Sequence, residues 1–129
     1  MEPGGSTTQS GIIFQNSFAA LHLARMCDSR PRPAKFQVVH VRVEAPSSVD
    51  DTVVTFADDH VEYIQSKENI RSTGDEWIAL WKSFEEQFKN VVFNRHADRI
   101  ILHVGTLSGL STNLKSICEK ASTSESFEE

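Results

Sequence analysis

The sequence predicts an α/β fold in which a mixed central sheet is flanked by helices, with elements in the order α-β-β-β-α-β-α. Three observations predict it. Near the start, Ile13, Phe14, Phe18, Leu21 and Ala24 recur at helical spacing. Three stretches between Lys35 and Lys67 then alternate or run apolar as strands do. A capped, aromatic-rich helical pattern follows and leads to one more short apolar strand, and a helical crossover of this kind is how parallel neighbours are joined.

Residues 1–10 are rich in Gly, Ser, Thr and Pro and are expected to be disordered, with Ser10 able to cap a helix of about Ile12 to Cys27. Gln15, Ala19 and His22 share a second face of that helix. Asp28-Ser-Arg-Pro-Arg-Pro ends it, because proline cannot continue a helix and biases the preceding residue toward extended geometry. Lys35 to Glu44 alternates, with Phe36, Val38, His40, Arg42 and Glu44 on one side and Gln37, Val39, Val41 and Val43 on the other. Two further strands, Thr52 to Ala57 and Val61 to Lys67, form a hairpin around a tight Asp58-Asp59 turn.

After a polar loop, Thr73-Gly-Asp-Glu76 has the Thr-x-x-Glu form of a capping box. Trp77, Trp81, Phe84 and Phe88 follow at spacings of four, three and four, and this stripe is expected to pack into the core rather than serve as a stacking platform. Arg99 to Val104 reads as a buried strand, Gly105 as a turn, and Leu107, Leu110, Leu114, Ile117 and Ala121 outline a last helix. The expected organisation is one domain over residues 11–121, with a polar tail at 122–129 that is either a frayed end or a cut continuation.

At 129 residues the chain can build one core. Hydrophobic residues make up 39% and charged residues 24%, as in ordinary globular proteins. No apolar run approaches the roughly 20 residues that cross a bilayer, and the start lacks a secretory signal, so a cytoplasmic protein without membrane contact is expected. Cys27 and Cys118 are then expected to be reduced thiols, and neither has partners at zinc-site spacing. The net charge of −5 argues against a protein that coats nucleic acid through a large basic surface.

The chemistry-bearing residues gather around the hairpin. Asp50 and Asp51 lead into its first strand, and Gln65 and Lys67 share a face of the second with Tyr63. A carboxylate, an amide oxygen and an ammonium at these places could cradle a divalent cation and a phosphate. Aspartate is also common in turns, where its side chain bonds the local backbone, and one of Asp50 and Asp51 is expected to do only that. Asp58 and Asp59 read as hairpin-turn acids, and the five histidines as structural or surface residues. Arg25, Arg30, Arg32 and Lys35 cluster after the first helix; such a cluster can touch phosphate, but is more often a solvated loop.

The order of elements, the acid before the second strand and the Gln-x-Lys on the third resemble the PD-(D/E)xK nuclease superfamily, the restriction-endonuclease-like fold. Gly11-Ile-Ile-Phe-Gln15, Glu44, Val49-Asp-Asp51 and Tyr63-Ile-Gln-Ser-Lys67 look most like the N-terminal nuclease domains of bacterial antiphage effectors of the DUF4297 type. The resemblance implies a metal-dependent endonuclease, nonspecific toward double-stranded DNA, using Mg²⁺ or Mn²⁺. Asp51 or Asp50, Gln65 and Lys67 would be its centre, with Gln15 from the first helix and Glu44 as a possible further ligand or an ion-pair partner. It also implies control by self-association or by a C-terminal sensor or NTPase region. Gln65 stands where the family more often has Glu, which leaves one fewer carboxylate. The rival expectation is a catalytically inactive binding or oligomerisation module of the same fold, and a nucleotide binder ranks below both because the chain has no Gly-rich phosphate loop.

Overall fold

A computed structural model describes residues 4–43, 52–106 and 108–123. Its helices are α1 (Gly4–Met26), α2 (Asp75–Lys89) and α3 (Gly109–Thr123), and its strands are β1 (Val38–Val43), β2 (Thr52–Phe56), β3 (Val61–Lys67) and β4 (Arg99–Val104). A single 3-10 turn, Ala34–Phe36, leads into β1. The four strands form one mixed sheet in the order β1-β2-β3-β4. The first two pairings are antiparallel and the third, β3 with β4 across the α2 crossover, is parallel. Among the described residues no helix is long and apolar enough to cross a membrane.

The helix α1 begins at Gly4 rather than near Ile12, so Ser10 lies inside it and does not cap it. The chain has no proline between Pro3 and Pro31, and Ser, Thr and Gln each disfavour helix by only a few tenths of a kcal/mol, so nothing in the segment stops the helix. Its buried stripe also differs from the expected one. Ala19 and His22 are buried, Phe14 and Phe18 are half-buried, while Ile13 (60% exposed) and Leu21 face solvent. The sheet takes the side of the helix centred between the two faces that the spacing suggested.

Under that stripe, Val38, Val54, Phe56 and Ile64 form the core, with Phe18, Val41 and Ile101 packed against them. Val38 and Val41 both reach it although they are three positions apart and would alternate to opposite faces. The pairing shifts between Val38↔Phe56 and His40↔Thr55, so a bulge at Val39 absorbs one residue and breaks strict alternation. Asp98 ties the parallel strand to the hairpin: one carboxylate oxygen accepts from the Val61 N–H at 2.8 Å and the other from the Asn94 N–H at 2.9 Å.

The capping box expected at Thr73 does not form. Gly74 occupies the N-cap position at φ 95° with no side-chain cap, a left-handed backbone that glycine tolerates and threonine would not. The aromatic stripe of α2 is not core either. Leu80 and Gln87 are the buried residues, Trp77 and Phe84 are half-buried, and Ile78, Trp81 and Phe88 are exposed. Trp77, Trp81 and Phe84 meet edge to face along the helix, and Phe88 reaches Phe93, which in turn meets Tyr63 on the sheet. The aromatics thus stabilise one another as much as they cover the sheet.

Gly105 marks a close approach. A Cβ there would lie 3.2 Å from Phe14 and 3.3 Å from the Glu68 backbone, and the Gly105 N–H donates to the Lys67 carbonyl at 3.0 Å. Gly105→Ala is expected to destabilise the fold by about 1–3 kcal/mol, by overpacking Phe14 in the middle of α1 against the end of β3. Urea unfolding checks this, and an unchanged midpoint would show that Phe14 yields freely.

Candidate functional site

The carboxyl-terminal end of β3 holds two of the expected site residues. Ser66 approaches His103 (Oγ to Nδ1, 3.4 Å), and His103 stacks under Phe14 and Phe18 of α1, so this face of the sheet belongs to α1. By alternation Gln65 and Lys67 point to the other face, the side of Tyr63 and Phe93. Both are half-buried. Gln15 sits beside Phe14 on the half-buried stripe of α1, the helix that covers the opposite face. Asp50, Asp51 and Glu44 lie outside the described residues, although Asp51 is bonded to Thr52, which pairs with Ile64.

Gln65 offers an amide oxygen, a hard donor of the kind Mg²⁺ and Mn²⁺ accept, and Lys67 a cation that cannot itself ligate a metal. Among the described residues no group of three or more His, Cys, Asp or Glu is placed to hold a metal ion. The carboxylates that the sequence offers for such a site, Asp50, Asp51 and Glu44, are among the residues not described.

A second constellation lies at the other end of the sheet, on the α1 side. An open cleft of about 690 Å³ is lined by Arg25 from α1, Arg32 and Lys35 from the connection to β1, Asp58, His60 and Glu62 from the hairpin, and His96 and Arg99 from the approach to β4, with Phe36, Val38, Phe56 and Ala97 between them. Asp58 is the hairpin-turn acid expected, and His60 is structural. The buried His60 ring stacks on Phe56 at 4.2 Å, contacts the Asp58 carboxylate through Nδ1 and lies 3.9 Å from Glu62 through Nε2. The Asp58 carboxylate also accepts from the His60 N–H at 3.2 Å, and these bonds hold its pKa below the usual carboxylate value against the opposing effect of desolvation.

Arg32 is fixed by Asp28, which also accepts from Arg30 at 2.7 Å. The Arg30 bonds first, then its charge and that of Arg32, hold the Asp28 carboxyl far below its ordinary range. The arginine-rich turn is therefore ordered around one carboxylate rather than merely solvated. Sequence reasoning found four of its residues but not the cleft, because Glu62 and Arg99 come to it only through the strand pairing Glu62↔Arg99. The one signal available was Arg30-Pro-Arg-Pro, whose prolines stiffen the chain where it turns back toward the sheet.

His22 and His103 sit between α1 and the sheet. Burial lowers the pKa of both below the ordinary 6.5, with the nearby Arg25 and His103 charges adding to the effect at His22. Among the described residues neither ring nitrogen of His22 has a hydrogen-bond partner. Both residues therefore take up protons at lower pH in the folded chain than in the unfolded chain, which does so as pH falls through 6.5. Their contribution is complete above that pH and declines below it. The thermal midpoint is expected to be lower at about pH 5.5 than at about pH 7.5, and His22→Leu to flatten that slope. Equal slopes for the variant and the parent protein in a pH series of melts would contradict the assignment.

Fold and site together define an α/β protein whose described residues form a mixed four-stranded sheet and three helices, with polar constellations at the two ends of β3. No protein family, curated protein or solved structure matches the chain.

Proposed function

We propose that the chain is a metal-dependent endonuclease domain of the restriction-endonuclease-like fold, acting nonspecifically on double-stranded DNA. The observation that carries this reading is that Gln65 and Lys67 share one half-buried face at the end of β3, beside the strand that Asp51 leads into, in a sheet whose first three strands are antiparallel and whose fourth is parallel. Asp51 and the Gln65 amide oxygen would hold Mg²⁺ or Mn²⁺, with Asp50 and Glu44 as further oxygen donors. The chemistry such an ion supplies is polarisation of the phosphoryl oxygen and a lowered pKa for the attacking water. Lys67 would place an ammonium where negative charge builds on the phosphoryl oxygens. The resemblance adds a role in bacterial antiphage defence, in the cytoplasm, under control of a C-terminal sensor or NTPase region.

Plasmid incubated with the protein and Mg²⁺ tests the reading, with EDTA as control. Nicking or linearisation that EDTA abolishes is expected. Cleavage that persists in EDTA would contradict it.

The second reading, an inactive module of the same fold that binds or self-associates, is favoured by one observation. Ile78 (65% exposed), Trp81 and Phe88 present an apolar face on α2 that the sheet does not cover. On that reading Trp81→Lys converts a concentration-dependent oligomer into a monomer, as light scattering after gel filtration would show. A parent protein that is already monomeric, or an oligomer that survives the substitution, would contradict this second reading.

A further inference from the structure

We propose that the cleft between the end of α1 and the start of β3 binds a phosphate monoester joined to an aromatic base, either a nucleoside monophosphate or the 5′-phosphorylated end of a nucleic-acid strand. This site is distinct from the Gln65–Lys67 face and does not rest on the nuclease reading. Glu62 and Lys67 are five residues apart on β3, about 16 Å, and point to opposite faces.

Charge is the first argument. The protein carries a net charge of −5, yet four cations, Arg25, Arg32, Lys35 and Arg99, line this cleft against the carboxylates of Asp58 and Glu62. Among the described residues neither Arg25 nor Lys35 pairs with a carboxylate. Arg32 is half-buried and held in place by Asp28, so its guanidinium is oriented before any ligand arrives. Preorganised guanidinium groups bind phosphate through paired hydrogen bonds, which needs no glycine-rich loop.

The second argument is the apolar part of the lining. Phe36 is 57% exposed at the rim, with the Lys35 ammonium 4.9 Å from its ring centroid. An exposed aromatic face beside a cation suits a stacked base whose phosphate reaches the cations. Asp58 and Glu62 supply acceptors on the cleft wall for ribose hydroxyl groups. His60, stacked on Phe56 and tied to Asp58, is a rigid floor between them.

Amide shifts of Lys35, His60 and Ala97 in the isotope-labelled 129-residue protein read the binding directly. Titration with adenosine monophosphate is expected to move these resonances together, with adenosine and inorganic phosphate each at least about tenfold weaker. A 5′-phosphorylated dinucleotide tested beside its 5′-hydroxyl form separates the two sources: preference for the phosphorylated dinucleotide over adenosine monophosphate assigns the strand end, and the reverse assigns the free nucleotide. Arg25→Gln with Lys35→Gln, both exposed positions, is expected to weaken binding about tenfold or more without moving the thermal midpoint. Resonances that ignore both phosphorylated probes would overturn the proposal. So would adenosine or inorganic phosphate binding as tightly as adenosine monophosphate, or a double variant that binds like the parent protein.

Discussion

Truncating Ile64 to alanine lowers stability by about 2–5 kcal/mol, a large share of the 5–15 kcal/mol that typical domains possess. Ile64 is fully buried at the middle of β3, where it meets Val38, Val54 and Phe56 beneath Phe18. It pairs with Thr52 on one side and Ile101 on the other, so β2, β4 and α1 all close on it. None of these neighbours can collapse into the space without moving a strand, which places the loss toward the upper part of the range. Chemical denaturation with an unchanged slope checks the effect. A loss under about 1 kcal/mol would show a core looser than the structure implies.

Lys67→Ala reduces Mg²⁺-dependent cleavage by about a hundredfold or more on the nuclease reading, the usual scale for removing one preorganised charge at a phosphoryl centre. The same substitution leaves folding nearly intact. Lys67 is the last residue of β3 and only half-buried, and its backbone carbonyl keeps its bond from Gly105 whatever the side chain. The contrast with Ile64, three residues away on the opposite face, is the useful one. A change at Ile64 acts through stability and one at Lys67 through chemistry. Cleavage retained by a folded Lys67→Ala protein would remove the lysine from the proposed centre.

Strands were legible because alternation and apolar runs leave few options. Val61–Lys67 and Arg99–Val104 lie where the pattern puts them, and Thr52–Phe56 ends one residue early at the Ala57 turn. Helix ends were less legible. The start of α1 carries no stop signal, and at α2 the left-handed Gly74 outcompetes the Thr73 capping box. Faces failed where packing rather than spacing decides. Ile13 and Leu21 turn out to solvent while His22 turns in, and Val39 slips out through a bulge. Gln65 and Lys67 were placed on one face from sequence alone, since alternation suffices for neighbours on one strand. The cleft escaped because its cations come from segments more than 60 residues apart, Arg25 and Arg99, and only the parallel pairing of β4 unites them.

Binding of Mn²⁺ followed by paramagnetic broadening of backbone amides tests the central claim most directly, because it locates the cation without depending on activity. The account predicts that sub-stoichiometric Mn²⁺ selectively broadens Gln65, Ser66 and Lys67, and that Asp51→Asn removes the effect. Broadening centred instead on Asp58, His60 and Glu62, or none at β3 at all, would contradict it.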